Sequence, residues 1–246
     1  MTGANLHDEC VLICDCDGVL IDSEAVAARV LVAELSARWP GVDVERAVMP
    51  RLGLRIERVL EASAHELGRV LSAQDVAAIR RVVEAAAQTA PMFDGVEAAL
   101  AQIDLPKACA SNSYTDYVQA VLARTGLVRF FGPHVFCADT VERPKPAPDV
   151  YLAAARAFRV TGAACLVVED SVTGVTAARA AGMAVLGFVG GGHASEDNVN
   201  ALRHAGAQDI FDDMSRLPAL VNQWLAERAA GVRRAASREG DESWRA

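Results

Sequence analysis

The amino-acid sequence predicts an α/β protein with a Rossmann-like parallel sheet, helices on both faces of that sheet and an inserted α-helical cap domain. Three observations lead to this prediction. Short apolar, β-branched runs alternate with helical patterns along most of the chain, as in parallel sheets whose strands are joined by crossover helices. One long interval near the start shows helical patterns only. Hydrophobic residues make up 52% of the 246 residues, which is enough for a large core.

Six runs are predicted as strands from their apolar and β-branched composition. They cover residues 10–16, 107–111, 134–138, 165–169, 184–189 and the weaker 209–211. Helical patterns separate most of these runs, so we expect neighbouring strands to lie parallel.

The interval without strands, residues 22–91, is predicted to form the cap domain. Its first helix begins at Ser23 and ends before Pro40, and a later one begins at Ser72, where Asp75 is placed for a capping box. The core domain then consists of residues 1–21 and 92–225. The remaining residues, 226–246, lack a sustained apolar face and are predicted to be disordered.

Composition excludes several classes of function. A net charge of −8 argues against general nucleic-acid binding, which needs a basic surface. No apolar run reaches the roughly 18–20 residues that a membrane span requires. The six cysteines lie mostly in strand-like runs and form no C-x-x-C pair, which predicts reduced, buried thiols in a cytoplasmic protein. We expect a monomer or a weak dimer that binds neither nucleic acid nor membrane.

The stretch VLICDCDGVLIDSE, residues 11–24, alternates thiols and carboxylates at the end of an apolar run. Side chains in a strand alternate between the two faces, so Asp15 and Asp17 start on one face while Cys14 and Cys16 lie on the other. Gly18 then allows a sharp turn that presents both carboxylates at the carboxyl end of the strand, where α/β sheets bind ligands. A soft-metal site on the two cysteines would need further thiolate or imidazole ligands nearby, and the sequence supplies none. We therefore predict that the aspartates carry the chemistry and the cysteines pack in the core.

Polar side chains also follow three later strands. Ser111-Asn112-Ser113 ends one run, Lys145 lies between two prolines in RPKPAPD, and Glu169-Asp170 ends CLVVEDS. The carboxyl ends of parallel strands meet at one edge of a sheet, so these groups should converge with the first two aspartates.

The ordered set DCDGVLIDSE, SNS, KPAPD and VEDSVTGVTAARAAGM resembles the haloacid dehalogenase superfamily. More narrowly, it resembles the phosphatases and β-phosphoglucomutase-like enzymes with a helical cap after the first strand, and it covers residues 10 to about 213. The resemblance implies hydrolysis of a small phosphorylated metabolite, such as a sugar or sugar-acid phosphate, through an aspartyl-phosphate.

The resemblance also assigns roles to individual residues. Asp15 is the expected nucleophile, and Asp17 is the expected general acid and then general base. Phosphate would be bound by Ser111, Asn112, Lys145 and Gly18. Mg²⁺ would be held by Asp15, Asp17, Asp170 and Glu169, although the sequence leaves open whether Glu169 binds the metal directly or orients a metal-bound water.

Several residues are weaker candidates for contact with the substrate: Glu24, Arg51, Arg55 and His193. Two other functions stay open at this point. A phosphosugar mutase is the first alternative, but such enzymes typically carry a cap histidine at the position of Ala27. A catalytically inactive binding or regulatory protein on the same fold is the second.

Overall fold

A six-stranded parallel sheet forms the centre of the molecule. The structure, a computed structural model, describes residues 9–51, 56–191 and 195–242, and side chains are described up to residue 231. The strands are β1 (Val11–Cys14), β2 (Lys107–Ala110), β3 (Val135–Phe136), β4 (Cys165–Glu169), β5 (Ala184–Phe188) and β6 (Asp209–Phe211), in the order β3-β2-β1-β4-β5-β6. Every neighbouring pair is parallel. β1 therefore lies between β2 and β4, near the middle of the sheet.

Helices cover both faces of the sheet. They are α1 (Ser23–Arg38), α2 (Val44–Val48), α3 (Ile56–Glu66), α4 (Ala73–Ala87), α5 (Val96–Gln102), α6 (Thr115–Thr125), α7 (Val128–Phe131), α8 (Asp149–Ala157), α9 (Val172–Ala180), α10 (Glu196–Ala205) and α11 (Leu217–Glu242). Residues from α5, α6, α7 and α11 share one apolar cluster with Leu12 and Cys14 of β1. Residues from α8, α9 and α10 share a second cluster with Val11 and Ile13. The alternation of these four residues along β1 divides the core into two layers.

Helices α1 to α4, called the helical insert below, have an apolar cluster of their own, centred on Leu35, Leu60 and Ile79. Two chain segments connect them to the sheet, and these segments run side by side: Ile21 forms an antiparallel bridge with Met92. At this connection the Asp22 N–H donates to the Pro91 carbonyl at 2.9 Å. The domain boundaries at residues 22 and 91 stay a prediction.

The predicted strands agree closely with the observed ones. Two match at both ends, Cys165–Glu169 and Asp209–Phe211, and the other four are shorter by one to three residues. The capping box at Ser72 is present, with the Asp75 N–H donating to the Ser72 hydroxyl.

Helix α11 continues to Glu242. Its last part is rich in alanine, arginine and glutamate, which have high helix propensity. Disorder of residues 226–246 was expected from the lack of an apolar face and stays a prediction. Within the described part of the chain, no helix is long and apolar enough to cross a membrane.

Candidate active site

Asp15 and Asp17 stand directly after β1, at the carboxyl edge of the sheet. The Asp15 N–H donates to the Val168 carbonyl of β4 at 3.0 Å, which continues the strand ladder by one residue and fixes the nucleophile candidate. Gly18 has φ of +77°, a conformation that side-chain-bearing residues rarely adopt. Its N–H donates to the Ile21 carbonyl at 2.9 Å and so closes the turn. Binding of phosphate by Gly18 stays a prediction.

Lys145 lies at the centre of the site and is buried. Its ammonium group donates to Asp15 Oδ1 at 2.5 Å, to Glu169 Oε1 at 2.6 Å and to the Ala110 carbonyl at 2.9 Å. The Tyr151 hydroxyl also donates to Glu169 Oε1, at 2.7 Å. Burial alone would lower the pKa of Lys145, but Asp15 and Glu169 raise it well above its ordinary value, so the lysine is a cation.

Both oxygens of Glu169 are already in use. Besides the contacts at Oε1, Oε2 accepts from the N–H of Asp170 at 3.1 Å and from the N–H and hydroxyl of Ser171 at 3.2 and 3.0 Å. Gly174 of α9 packs against this carboxylate so closely that an added Cβ would lie 1.7 Å from Oε1. These contacts fix the Glu169 carboxylate, and its contact with Lys145 holds the ammonium group in position.

Asp15, Glu169 and Asp170 each offer a carboxylate oxygen within 4.8 Å of the others. Burial raises the pKa of Asp15 to about 7. The charge of Lys145 opposes this rise, and the charge of Glu169 adds a smaller increase. Burial, Glu169 and Asp15 likewise raise the pKa of Asp170 well above its ordinary value. Three crowded acids thus face one buried ammonium group. Hard oxygen donors with excess negative charge are the ligand set that Mg²⁺ prefers, so these residues fit that ion.

The carboxylate of Asp17 is held by two hydroxyl groups. The Ser113 hydroxyl donates to Asp17 Oδ2 and the Tyr117 hydroxyl donates to Oδ1, each at 2.8 Å. Burial and the Asp17 charge raise the pKa of Tyr117, so the phenol keeps its proton. Ser113 belongs to the SNS motif, which gave it no predicted role, and no role was predicted for Tyr117. No local pattern marks a helical tyrosine as a partner of a residue 100 positions away.

Ser111 and Asn112 lie at the end of β2, next to Lys145. The Ser111 hydroxyl accepts from the Ser113 N–H at 3.0 Å, and a hydroxyl in that position can still donate its proton to a ligand. The Asn112 side chain exchanges two hydrogen bonds with the Lys145 backbone, donating to its carbonyl at 3.0 Å and accepting from its N–H at 2.7 Å. Asn112 thus fixes the loop that carries the lysine.

These groups line a cleft of about 420 Å³, together with Glu24 of α1. A second cavity of about 560 Å³ adjoins it and shares Glu24, Asp170, Ser171 and Thr173. Met49 and Pro50 of the helical insert close this cavity on one side. On the other side it is lined by Phe93, Phe188, Asp197 and Asn198. The space beyond the aspartates therefore lies between the helical insert and the sheet.

Among the described residues, Arg51 is not one of those that line this cleft. Arg51 donates to Glu66 Oε2 and to the Ala47 carbonyl, both at 2.5 Å, so it braces the helical insert internally. Arg58 is exposed and pairs with Glu61 at 3.4 Å. Arg55 and His193, the other two candidates for substrate contact, lie outside the described residues.

All six cysteines are buried and unpaired, as the sequence predicted. Cys14 and Cys16 belong to the apolar cluster on one face of β1, and burial raises the pKa of the Cys14 thiol. Among the described residues, the group of possible metal ligands contains carboxylates and no thiol. The cysteines of the C-x-C pair therefore pack in the core.

Comparison with known proteins agrees with this arrangement. The sequence model for hydrolases of the haloacid dehalogenase-like type matches residues 11–182, which is more than half of the chain and includes all four polar strand ends. The chain belongs to the haloacid dehalogenase-like hydrolase family. The predicted family, α/β fold and hydrolase class are thereby confirmed.

Curated relatives of this hydrolase include phosphatases. It is 27% identical to 6-phosphogluconate phosphatase of Escherichia coli K12, over 73% of this chain and 82% of the relative. It is 34% identical to hexitol phosphatase B of the same organism, over 70% of this chain and 79% of the relative. Among solved structures, a haloacid dehalogenase-like protein of unknown function from Agrobacterium tumefaciens C58 matches with a TM-score of 0.78 at 34% identity, covering 87% of this chain and 97% of that one.

Proposed function

We propose that this hydrolase is a Mg²⁺-dependent phosphatase of small sugar phosphates that works through an aspartyl-phosphate on Asp15. One observation carries the proposal: the buried Asp15 carboxylate opens onto a cleft while its other contacts are a lysine at 2.5 Å and two further acids. A nucleophile, a fixed cation and a metal ligand set thus surround one point.

In the first step an oxygen of Asp15 attacks phosphorus, and the bond between phosphorus and the ester oxygen breaks. Asp17, two residues further on, gives its proton to the departing oxygen. Lys145 and the Ser111 hydroxyl bind the oxygens of the phosphoryl group, over which the charge of the transition state is spread.

In the second step a water molecule attacks the phosphorus of the aspartyl-phosphate. Asp17 accepts the proton of this water, and the bond between phosphorus and Asp15 breaks. Inorganic phosphate leaves, and both aspartates return to their starting states. Glu169 and Asn112 keep the side chain and the backbone of Lys145 in place throughout.

The ligands for Mg²⁺ would be carboxylate oxygens of Asp15 and Asp170 together with the Asp17 carbonyl. Because Glu169 already accepts five hydrogen bonds, we assign it to holding Lys145. The bound cation supplies counter-charge, without which a carboxylate would repel a phosphate dianion.

The substrate is proposed from the second cavity. Its acidic lining residues are Asp22, Glu24, Asp170 and Asp197, and no lysine or arginine contributes to it within the described part of the chain. Carboxylates accept hydrogen bonds from hydroxyl groups and repel another carboxylate. This favours a neutral, hydroxyl-rich leaving group, as in a hexitol or sugar phosphate, over a sugar-acid phosphate.

The two alternatives are less well supported. A phosphosugar mutase would need a basic side chain in the cap, typically a histidine. The residue at that position is Ala27, which packs against the apolar cluster of the helical insert. A binding protein without activity would have no need for a buried lysine that joins two acids at one point.

A screen of phosphate esters with and without Mg²⁺ tests the proposal, with inorganic phosphate as the readout. It should include glucitol 6-phosphate and 6-phosphogluconate, which share a carbon chain and differ at one end, a hydroxymethyl group against a carboxylate. We expect phosphate release that stops in excess EDTA, with glucitol 6-phosphate the better substrate. Isomerisation of β-glucose 1-phosphate with negligible phosphate release would overturn the phosphatase assignment.

A further inference from the structure

Two hydroxyl groups bind the carboxylate of Asp17, and their arrangement suits its proposed roles as general acid and then general base. The Ser113 and Tyr117 hydroxyls each donate to a different oxygen of its carboxylate, at 2.8 Å. Both partners come from the loop and first turn that follow β2, so β2 and β1 jointly fix this group. A carboxylate offers about four lone-pair positions, so two hydroxyl donors leave capacity for a ligand in the cleft.

The chemical type of these partners is informative. A general acid that later becomes a general base alternates between a protonated and an ionised state. A hydroxyl can donate to the ionised carboxylate and accept from the protonated one, whereas lysine and arginine only donate. The hydroxyls of Ser113 and Tyr117 can therefore hold Asp17 in one orientation through the whole cycle.

Tyr117 is fixed by packing. Its ring packs against the apolar cluster that contains Cys14 and Cys16, which sets the position of its hydroxyl. Tyr117 does not line the cleft, whereas Asp17 and Ser113 do. The contact between Tyr117 and the cleft is therefore made through the carboxylate of Asp17.

We propose that Tyr117 and Ser113 are positioning residues that aim the carboxyl group of Asp17 at the ester oxygen of the leaving group. This inference rests on the proposed phosphatase function. It has a consequence that a merely structural role lacks: loss of either hydroxyl should depend on the leaving group. An alkoxide needs a proton in order to depart, while 4-nitrophenolate leaves without one.

The test compares kcat/KM for glucitol 6-phosphate and for 4-nitrophenyl phosphate. This ratio covers the steps up to departure of the leaving group, so slow hydrolysis of the aspartyl-phosphate does not mask the effect. We expect Tyr117→Phe and Ser113→Ala each to lower kcat/KM for the sugar phosphate roughly ten-fold, as for a lost hydrogen bond to a charged group, and the value for the nitrophenyl ester by less than about two-fold.

Tyr114→Phe is the matched control, because it removes a hydroxyl from an exposed tyrosine three residues away. It should change neither value. Equal losses on both substrates, or no loss on either, would overturn the inference while leaving the phosphatase assignment intact. A wild-type protein that hydrolyses neither ester would contradict the proposed function itself. If Tyr117→Phe fails to fold, Ser113→Ala decides the question, since it removes no packed ring.

Discussion

At the scale of single residues, the site contains more acid than base. Asp15, Glu169 and Asp170 share a small volume, and Lys145 is their common buried cation. Burial favours the neutral form of an acid, and neighbouring acids add to this effect. The site is therefore expected to be strained without metal and relaxed with it, and function is obtained at some expense of stability.

The first prediction concerns Asp15. Asp15→Asn should abolish turnover, with kcat reduced more than about 10³-fold, because the nucleophile is lost. Burial raises the pKa of the Asp15 carboxyl group to about 7, which means that its ionised form destabilises the folded protein. Because the substitution removes this ionisable group, the metal-free variant should unfold at a temperature equal to or higher than that of the wild type. Phosphate release and thermal unfolding in EDTA check both points. A fully active variant would show that the nucleophile is another residue.

The second prediction links metal binding to pH. A carboxyl group with a raised pKa binds its proton more tightly in the folded state, so the metal-free protein should lose stability as the pH rises from about 4 to about 7. At the proposed site Mg²⁺ would bind the ionised acids and compete with these protons. The rise in unfolding temperature on adding Mg²⁺ should therefore be larger near pH 8 than near pH 5.5, by differential scanning fluorimetry. A rise that is equal at both values would contradict the carboxylate site.

The third prediction concerns Lys145, whose replacement should destabilise the protein, in contrast to Asp15→Asn. Lys145→Met keeps a chain of similar length but leaves Asp15 and Glu169 without their cation, so we expect a loss of about 3 kcal/mol in the free energy of unfolding, as for other broken buried ion pairs. Chemical denaturation in EDTA measures this loss. Arg143→Met is the control. Arg143 lies two residues from Lys145 in the sequence, and it forms an ion pair with Asp149 at the surface. The control should lose less than about 1 kcal/mol.

At the scale of elements, the turn after β1 depends on a glycine. A Cβ at Gly18 would lie 1.9 Å from Asp170 Oδ2, and the φ of +77° is itself unfavourable for other residues. Gly18→Ala should therefore displace Asp170 and weaken activation by Mg²⁺ at least about ten-fold, a shift of roughly 1.4 kcal/mol. Titration of activity with Mg²⁺ measures this.

Gly41→Ala is the matched control for Gly18→Ala. Gly41 has φ of +78°, but an added Cβ there would meet nothing within 4 Å. Both variants carry the same backbone strain, and only the one at Gly18 collides with a proposed metal ligand. Equal effects of the two substitutions on the Mg²⁺ requirement would show that strain alone, and not Asp170, explains the loss.

The elements that the sequence predicted well are those whose signal is local. The strand Cys165–Glu169, with four apolar residues in succession, and the capping box at Ser72 both follow from side chains near one another in the chain. The convergence of polar strand ends followed from a general rule of parallel sheets. These two kinds of information covered the strands and the acids of the site.

Contacts between residues that are distant in the chain could not be predicted from the sequence. The Asn112 side chain holds the backbone of Lys145, 33 residues away in the chain, and no motif predicts this contact. Arg51 was a candidate for substrate contact, but its partner Glu66 is fifteen residues away on another helix.

At the scale of the whole molecule, the net charge of −8 and the acidic cavity act in the same direction. Both repel anions, so the fixed cation and a bound metal must attract the phosphate locally, and a second anionic group on the substrate finds no such compensation among the described lining residues. We expect kcat/KM for glucitol 6-phosphate to exceed that for 6-phosphogluconate by at least about ten-fold.

Asp197→Asn tests the origin of this preference, because Asp197 lines the second cavity. The substitution removes one negative charge and should narrow the ratio of the two kcat/KM values. Asp209→Asn changes the charge of the protein equally at a position on β6 that does not line either cavity, and it should leave the ratio unchanged. A ratio that moves equally in both variants would assign the preference to net charge alone.

In the proposed mechanism the phosphoryl group passes through Asp15. This mechanism is tested most directly by mass spectrometry of the acid-quenched Asp17→Asn variant, which lacks the base for the second step, after mixing with Mg²⁺ and 4-nitrophenyl phosphate, an ester that needs no acid for the first. We expect a mass increase of one phosphoryl group, located on Asp15 by peptide mapping and absent when Asp15 is also replaced by Asn. A phosphorylated residue elsewhere, or release of phosphate by an enzyme whose Asp15 is never modified at any time of quenching, would contradict the mechanism.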